Sequence, residues 1–285
     1  MHDRLGFSVR IFVPFGEPEG LRVIEKSGWT GQGLVFPRSR LADVRRREDL
    51  GRNGVYVLWG PGDSEQLPSV YVGEGDVDAR LVQHAKAKDF WTHGVAFTSK
   101  DQSLNKAHIQ YLEARLVELA AEAKRCELDN ASIPQKPALS EADRADAELY
   151  LTDMLLCLPV VGVRFFEKPQ DPAGKSHEFS LTGKGVRARG YEGANDFVVR
   201  AGSQAVKEEV ASLRPSLSEL RKALLARNIL KETSTAYQFD QDYGFPSPST
   251  AASILLGRPA NGRLEWKDAE GRSLKEIQEA VVEAR

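Results

Sequence analysis

Apolar and polar residues alternate in short runs through the first part of the chain. Residues 7–13 alternate in this way, and similar runs at 21–25 and 33–37 follow turns that contain Gly and Pro. Alternation with a period of two is typical of strands that bury one face. The pattern therefore predicts a small β module over residues 1–50.

Two further apolar runs, at residues 54–59 and 70–73, are separated by a loop rich in Gly and Pro. Two short runs of β-forming residues joined by such a loop predict a hairpin. Because successive side chains of a strand point to opposite faces, Val55 and Val57 would lie on one face and Tyr56 on the other.

The residues after the hairpin predict helices. Asp76 can cap a helix that runs to about residue 86, and Arg80 and His84, four residues apart, would share one face of it. Residues 100–103 lead into a second helix that reaches about residue 125, with apolar residues at helical spacing. Glu113 would lie at the edge of that apolar stripe.

The remaining pattern completes a domain plan. Residues 95–98 predict a third strand of the core, residues 140–158 a helix that starts at a capping Ser, and residues 161–166 another strand. The plan has four segments: an N-terminal β module (1–50), a central core (51–130), a helical extension and linker (131–182), and a C-terminal α+β domain (183–285). The fold class expected is α/β in the broad sense, closer to α+β.

Composition limits the function classes. No apolar run in the 285 residues approaches the ~20 residues that a membrane-spanning helix needs. The two cysteines, Cys126 and Cys157, cannot form a four-ligand zinc site, and residues 1–5 lack the pattern of a signal peptide. A cytoplasmic protein without a membrane partner is expected. The net charge of −2 implies that any nucleic acid would bind through local patches.

One such patch could be a cluster of arginines that follows the first β module. Its members are Arg38, Arg40, Arg45, Arg46, Arg47 and Arg52. They could be a solvated helix face with Glu48 and Asp49 as partners. They could equally contact the phosphates of a nucleic acid, with Arg45, Arg46 and Arg47 as the contact residues.

The core contains residue types suited to phosphodiester hydrolysis. A carboxylate such as Glu113 can hold a divalent metal, and a guanidinium such as Arg80 can grip two phosphate oxygens in one plane. A phenol such as that of Tyr56 can act as a base if a nearby cation lowers its pKa from about 10. A single well-placed carboxylate favours a one-metal site. Taken one at a time, these residues are also compatible with ordinary packed or solvated positions.

The order of these residues makes a family resemblance visible. Gly54-Val-Tyr56 and Tyr71-Val-Gly73 are followed in order by Arg80 and, on the long helix, Glu113. Over roughly residues 51–130, this order resembles the GIY-YIG nuclease superfamily. The resemblance implies a short antiparallel sheet flanked by helices and a metal-dependent endonuclease that cleaves DNA, with RNA not excluded. Gly54 and Gly73 would be structural glycines.

The resemblance also implies roles for the side chains. Tyr56 would be the general base or would orient the attacking water, assisted by Tyr71. Arg80 would bind the scissile phosphate, and Glu113 would hold Mg²⁺ or Mn²⁺. His84 matches a position that is often His or Tyr in relatives.

Two further resemblances concern the end of the core and the C-terminal region. Residues 105–113, which include Lys106 as a candidate nucleic-acid contact, resemble a subgroup that carries a particular C-terminal domain of unknown function. Asn130 matches a polar residue after the metal-binding helix. Residues 185–280 resemble that C-terminal domain, which accompanies restriction-associated proteins and could recruit a protein partner.

Glu74 departs from the family pattern, because several relatives carry Lys or a small polar residue there. A carboxylate at this position would repel phosphate or recruit a second cation. The alternative hypotheses are therefore a nucleic-acid-binding module with weak or lost catalysis and a partner-recruiting protein on the same scaffold.

Overall fold

The computed structural model describes residues 6–48, 53–62, 67–101, 103–168 and 177–283. The chain divides between Glu167 and Lys168 into two compact units. Both units mix helices and strands, as the sequence predicted for the fold class. Within the described ranges, no helix is long and apolar enough to cross a membrane.

The first unit is built on one seven-stranded sheet. Its strands are β1 (Val9–Phe12), β2 (Arg22–Lys26), β3 (Gly31–Pro37), β4 (Asn53–Gly60), β5 (Ser69–Asp76), β6 (His93–Ser99) and β7 (Glu127–Leu128). Its helices are α1 (Leu41–Arg45), α2 (Val77–Ala87), α3 (Lys106–Ala123) and α4 (Glu141–Cys157). The strand order is β1-β2-β3-β6-β4-β5-β7, and every pair is antiparallel except β5 with β7.

The three N-terminal strands belong to the same sheet as the central hairpin. Strand β3 pairs with β6 along its whole length, from Gly31 opposite Ser99 to Pro37 opposite His93. The domain boundary expected near residue 50 therefore falls inside the first compact unit. Helix α4, expected in a helical extension, contributes Leu151 to the main core of this unit.

The two faces of the sheet carry separate hydrophobic cores, as the alternation along β4 predicted. Val55 and Val57 pack with Leu112 and Leu116 of α3. Tyr56, on the opposite face, packs in the cluster that includes residues of α1 and α2. The hairpin strand is therefore buried on both faces, which fixes the side chain of Tyr56 beneath α2.

Local sequence explains where the helices begin. The Asp76 carboxylate accepts a hydrogen bond from the backbone N–H of Ala79 at 3.1 Å, which caps α2 as expected. Helix α3 begins later than the sequence suggested, because Asn105 is its cap and accepts from the N–H of His108 at 2.9 Å.

The predicted strand at residues 161–166 is wrong. The chain instead forms a 3₁₀ turn at Leu158–Val161, with Gly162 in the left-handed region (φ 86°), and then continues as irregular structure. Phe165 and Phe166 nevertheless pack into the main core of the first unit. Their apolar character therefore reflects burial without a strand, a distinction that periodicity alone cannot make.

The described residues of the second unit form two small sheets and four helices. Its strands are β8 (Glu178–Gly183), β9 (Val186–Glu192), β10 (Phe197–Val199), β11 (Gln204–Ala205), β12 (Leu230–Glu232), β13 (Tyr237–Phe239) and β14 (Tyr243–Phe245). Its helices are α5 (Pro215–Ala226), α6 (Pro248–Leu256), α7 (Gly262–Glu265) and α8 (Leu274–Glu283). The sheets have the orders β14-β10-β9-β8 and β11-β13-β12.

A buried arginine joins the parts of this second unit. Arg221 of α5 is fully buried, and its guanidinium donates to the backbone carbonyls of Val206 and Ile254. Its Nε lies 2.8 Å from a carboxylate oxygen of Glu209. Helix α6 is apolar and largely buried, so it forms the centre of this unit's core.

Candidate active site

The β4–β5 hairpin places two tyrosines on one face of the sheet. In the antiparallel register, Tyr56 lies opposite Gly73, and Tyr71 lies opposite Leu58. Tyr56 and Tyr71 are therefore diagonal neighbours on the same face, within reach of each other's rings. Their ring centroids are 6.3 Å apart. Tyr56 is fully buried and Tyr71 is half-buried.

Gly73 makes room for the hydroxyl of Tyr56. A Cβ at position 73 would lie 2.3 Å from Tyr56 Oη, which the packed sheet cannot accommodate without moving the ring. Gly54 meets a similar limit, because a Cβ there would lie 2.3 Å from the carbonyl oxygen of Phe97. Both glycines predicted to be structural thus have a steric reason within the protein.

His84 is the hydrogen-bond partner of Tyr56. Tyr56 Oη and His84 Nε2 are 2.8 Å apart, and His84 is buried on α2. The imidazole also lies beside the ring of Tyr71, with centroids 4.7 Å apart. The sequence placed His84 only on the face of Arg80, so its direct bond to Tyr56 is new information from the structure.

Burial keeps both members of this pair neutral. It lowers the pKa of His84 to about 4, assisted by the charges of Lys88 and Arg80. Burial also raises the pKa of Tyr56 well above its ordinary value, and Arg80 offsets this only in part. From the sequence we expect a nearby cation to lower the pKa of Tyr56, and this expectation is wrong, because burial raises that pKa by more than Arg80 lowers it. A neutral phenol bonded to a neutral imidazole is the resting arrangement.

Arg80 reaches the same region from the first turns of α2. Gly75 has φ 126°, a backbone conformation that residues other than glycine rarely adopt. A Cβ on Gly75 would lie 3.4 Å from Arg80 Nε, so the arginine side chain crosses the backbone there. The exposed guanidinium donates to Gln83 Oε1 at 3.2 Å and lowers the pKa of both Tyr56 and Tyr71 electrostatically.

Glu113 approaches from α3. Burial, followed by the charge of Glu74, raises its pKa to about 7, while Lys106 and Arg80 act in the opposite direction. The charge of Glu113 in turn raises the pKa of Tyr71. Glu113, Arg80 and the two tyrosines therefore share one electrostatic environment, although they come from four different elements.

Glu74 and Lys106 form an ion pair next to Glu113. Lys106 Nζ lies 2.6 Å and 2.5 Å from the two carboxylate oxygens of Glu74. Only 11% of the Glu74 side chain is exposed, against 57% for Lys106. The carboxylate that seemed from sequence to repel phosphate is therefore partly neutralised within the protein. Lys106 pairs with Glu74, and its predicted contact with nucleic acid stays a prediction.

The donor set is compatible with a magnesium-type ion. Among the described residues, no group of three or more His, Cys, Asp and Glu side chains could hold a metal. Mg²⁺, however, commonly uses one or two carboxylates and completes its shell with water and substrate phosphate. The raised pKa of Glu113 reflects unfavourable negative charge beside Glu74, which a divalent cation would relieve. Glu113 is thus the residue suited to hold such an ion.

Two residues after the long helix support the tyrosine face. The side chain of Asn130 continues the ladder of β5, because it accepts from the N–H of Val72 at 3.0 Å and donates to its carbonyl at 2.8 Å. Asp129 forms an ion pair with Lys88, whose ammonium lies 4.4 Å from the ring centroid of Tyr71. Lys88 was missed by the sequence argument, although it follows Arg80 and His84 at the same spacing of four.

The predicted basic cluster has several internal partners. Arg45, at the end of α1, forms an ion pair with Asp78 at 2.7 Å, and Arg46 lies 3.7 Å from Asp43. The pair with Asp78 joins α1 to the first turn of α2. Arg46 is largely exposed, and Arg47 is half-buried. Asp49 and Arg52 lie outside the described residues.

The second unit has a family match. Residues 179–278 match a family described as Domain of unknown function (DUF4357). The match is compatible with the C-terminal domain of unknown function expected from the sequence, and it lies within the second compact unit. It covers about a third of the chain.

No curated protein and no solved structure has a significant match to this chain. The family description assigns no activity to residues 179–278. The candidate chemistry of the first unit therefore depends on its own residues.

Proposed function

We propose that the first unit is a metal-dependent endonuclease of the GIY-YIG type that hydrolyses phosphodiester bonds in DNA. The observation that carries the proposal is the hydrogen bond between Tyr56 and His84, at 2.8 Å, beside Tyr71 and within the electrostatic reach of Arg80 and Glu113. A neutral acid–base pair beside an exposed guanidinium is suited to general acid–base catalysis on an anionic substrate.

In this proposal, Tyr56 and His84 together remove one proton from the attacking water. The Tyr56 hydroxyl orients the attacking water and donates its own proton to the neutral Nε2 of His84 as it accepts one from the water. At neutral pH the phenol keeps its proton, because burial raises its pKa, and the imidazole is unprotonated, so His84 is the member of the pair with a free lone pair to accept a proton. The step requires the neutral tautomer of His84 whose Nε2 lone pair faces the tyrosine.

Arg80 and Glu113 would stabilise the charge that develops on phosphate. The planar guanidinium of Arg80 is exposed and can bind two phosphate oxygens. A Mg²⁺ or Mn²⁺ ion held by Glu113 would act as a Lewis acid on the phosphate oxygens. Lys106 lowers the pKa of Glu113 and so favours its anionic form.

A DNA duplex would also meet the basic end of α1. Arg45 pairs with Asp78, two residues before Arg80, and the exposed Arg46 is the next residue in the chain. This contiguity supports the phosphate-contact interpretation of the arginine cluster over a purely solvated helix face.

The test is a plasmid-nicking assay with Mg²⁺, with Mn²⁺ and with EDTA, together with duplex binding in Ca²⁺. Wild-type protein should nick in either metal and not in EDTA. Glu113→Gln should bind DNA but lose nicking by orders of magnitude, and Glu118→Gln, on the same helix, should nick normally. Binding without nicking by the wild-type protein would favour the alternative of a nucleic-acid-binding module on this scaffold, and absence of both would leave a partner-recruiting role.

A further inference from the structure

Arg38 leaves the end of β3 and directs its guanidinium at the end of α2. Its Nη2 donates to the carbonyl of Ala85 at 2.8 Å. Its Nη1 lies 3.0 Å, 3.2 Å and 3.4 Å from the carbonyls of Lys88, Asp89 and Trp91. The guanidinium carbon also lies 4.9 Å from the ring centroid of Trp91. One cation therefore binds four carbonyls at and just beyond the C-terminal end of the helix.

This arrangement separates Arg38 from the rest of the arginine cluster. Helix ends leave carbonyls without partners inside the helix, and a positive charge there is favoured by the helix dipole. The Arg38 donors face these carbonyls, and its side chain is only 29% exposed. A guanidinium used in this way has little capacity left for a phosphate. Its role must therefore be sought within the fold.

The helix end that Arg38 holds is the one that carries His84. Ala85, whose carbonyl accepts from Arg38, is the next residue in the chain. The carbonyl of His84 itself accepts from the N–H of Lys88 at 3.0 Å, and Trp91 Nε1 lies 3.5 Å from it. The last turn of α2 is thus fixed to the sheet through both Arg38 and Trp91.

We propose that Arg38 is a positioning residue for the Tyr56–His84 pair, and the catalytic part of this inference rests on the proposed nuclease function. Tyr56 comes from the sheet and His84 from the helix, so their 2.8 Å bond depends on how the helix is placed on the sheet. Arg38, which follows the N-terminal strands directly, sets that placement. The three N-terminal strands thereby become part of the active-site scaffold. A displacement of about 1 Å at such a site can cost roughly a hundredfold in rate.

The experiment compares Arg38→Met, Arg38→Lys and the control Arg10→Met. Arg10 lies on β1, where its largely exposed guanidinium pairs with Glu25, away from α2. Protein that carries ¹⁵N in its histidine side chains gives the imidazole nitrogen resonances by NMR. The His84 resonances are assigned as those that are lost in His84→Asn. Nicking kinetics give kcat and KM, and thermal unfolding reports stability.

Arg38→Met should shift the His84 imidazole resonances and lower kcat by roughly ten- to a hundredfold with little change in KM. Arg38→Lys keeps the positive charge but lacks the planar guanidinium, so its His84 resonances and its kcat should lie between those of Arg38→Met and wild type. Arg10→Met should leave the resonances and kcat as in wild type. If Arg38→Met does not fold, Arg38→Lys against wild type decides the matter.

Three results would overturn the inference. The first is a lower melting temperature with unchanged His84 resonances and unchanged kcat, which marks a merely structural residue. The second is a fall in kcat while the His84 resonances stay in place. The third is a rise in KM alone, which marks a DNA contact. If wild-type protein does not nick DNA, the proposed function fails, and the NMR comparison still decides whether Arg38 positions His84.

Discussion

The hydroxyl of Tyr56 and the Nε2 of His84 are 2.8 Å apart, and both side chains are buried. The tyrosine is fixed by the strand pairing of β4 and the histidine by the packing of α2. Since a buried polar atom without a partner is costly, each residue needs the other for stability as well as for chemistry. The first two predictions follow from this dependence.

Tyr56→Phe should separate binding from cleavage. The ring keeps its packing, but the proton donor to His84 is lost, so nicking should collapse while duplex affinity in Ca²⁺ stays near that of wild type. The buried Nε2 would lose its partner, and the free energy of unfolding should fall by about 1–3 kcal/mol in urea titrations. Tyr111→Phe is a matched control, because that hydroxyl donates to Glu148 of α4 at 2.7 Å and not to His84. Undiminished nicking by Tyr56→Phe would remove this residue from the mechanism.

The pH dependence of stability should carry a contribution from His84. Its pKa is about 4 in the folded protein, below the ordinary value of 6.5. Between these values the unfolded chain binds more protons, so stability is complete above pH 6.5 and is lost as the pH falls towards 4. The loss should be no more than about 3 kcal/mol. Urea titrations of wild type and His84→Asn across this range measure it, and parallel curves for the two proteins would contradict it.

Glu113 should contribute with the opposite sign. Its pKa of about 7 lies above the ordinary value of 4.5, so the folded state binds more protons between these values and stability falls as the pH rises. Gln cannot titrate, and Glu113→Gln should therefore gain stability relative to wild type from pH 4.5 to pH 7, by less than about 3 kcal/mol because the group is partly solvated.

Glu118→Gln is the control for that measurement. Burial raises the pKa of Glu118, but hydrogen bonds from Lys136 and Arg115 outweigh this effect and lower it overall. The Glu118 carboxylate is therefore ionised in both states above pH 5, and its variant should show a constant difference from wild type. The same flat difference for Glu113→Gln would show that Glu113 does not lie in the environment described.

Sequence was a good guide wherever the answer depended on local pattern. The alternation along β4 predicted that Val55 and Tyr56 face opposite cores, and the Asp76 cap marked the start of α2. Pattern could not distinguish a strand from a buried irregular segment at residues 161–166, because only tertiary packing separates the two. Whether the residues brought together form a nuclease site is a question for the assays above.

Contacts between distant elements were beyond sequence reasoning. The pairing of Lys106 with Glu74 joins α3 to β5, and the approach of Arg38 to Ala85 joins β3 to α2. Each requires knowledge of which elements are neighbours. In the sequence, Arg38 is one of several similar arginines, and Glu74 is a carboxylate at a position where the family pattern has none. Their partners in the fold give both residues a specific role.

The arginine cluster gives a salt-dependence prediction. The side chain of Arg46 is 82% exposed, whereas its neighbour Arg45 is paired with Asp78, so Arg46 is the member better suited to contact a phosphate. Arg46→Ala should weaken duplex binding equally across sequences and reduce the salt slope of log Kd by about one. Arg10→Ala, also exposed, is the control and should leave the slope unchanged. An unchanged slope for Arg46→Ala would instead favour the interpretation of the arginine cluster as a solvated helix face.

Arg80→Lys tests whether the guanidinium acts in the transition state. The Arg80 side chain crosses Gly75 and presents an exposed planar fork, whereas lysine offers a point charge that cannot hold two phosphate oxygens in one plane. If Arg80 stabilises charge that grows as the bond breaks, affinity in Ca²⁺ should survive and kcat should fall by roughly a hundredfold or more. Gln83→Ala removes the 3.2 Å partner of Arg80 and leaves its charge, so it should lower kcat far less. Equal kcat for Arg80→Lys and wild type would show that only attraction is needed, and the assignment of Arg80 to the scissile phosphate would then be wrong.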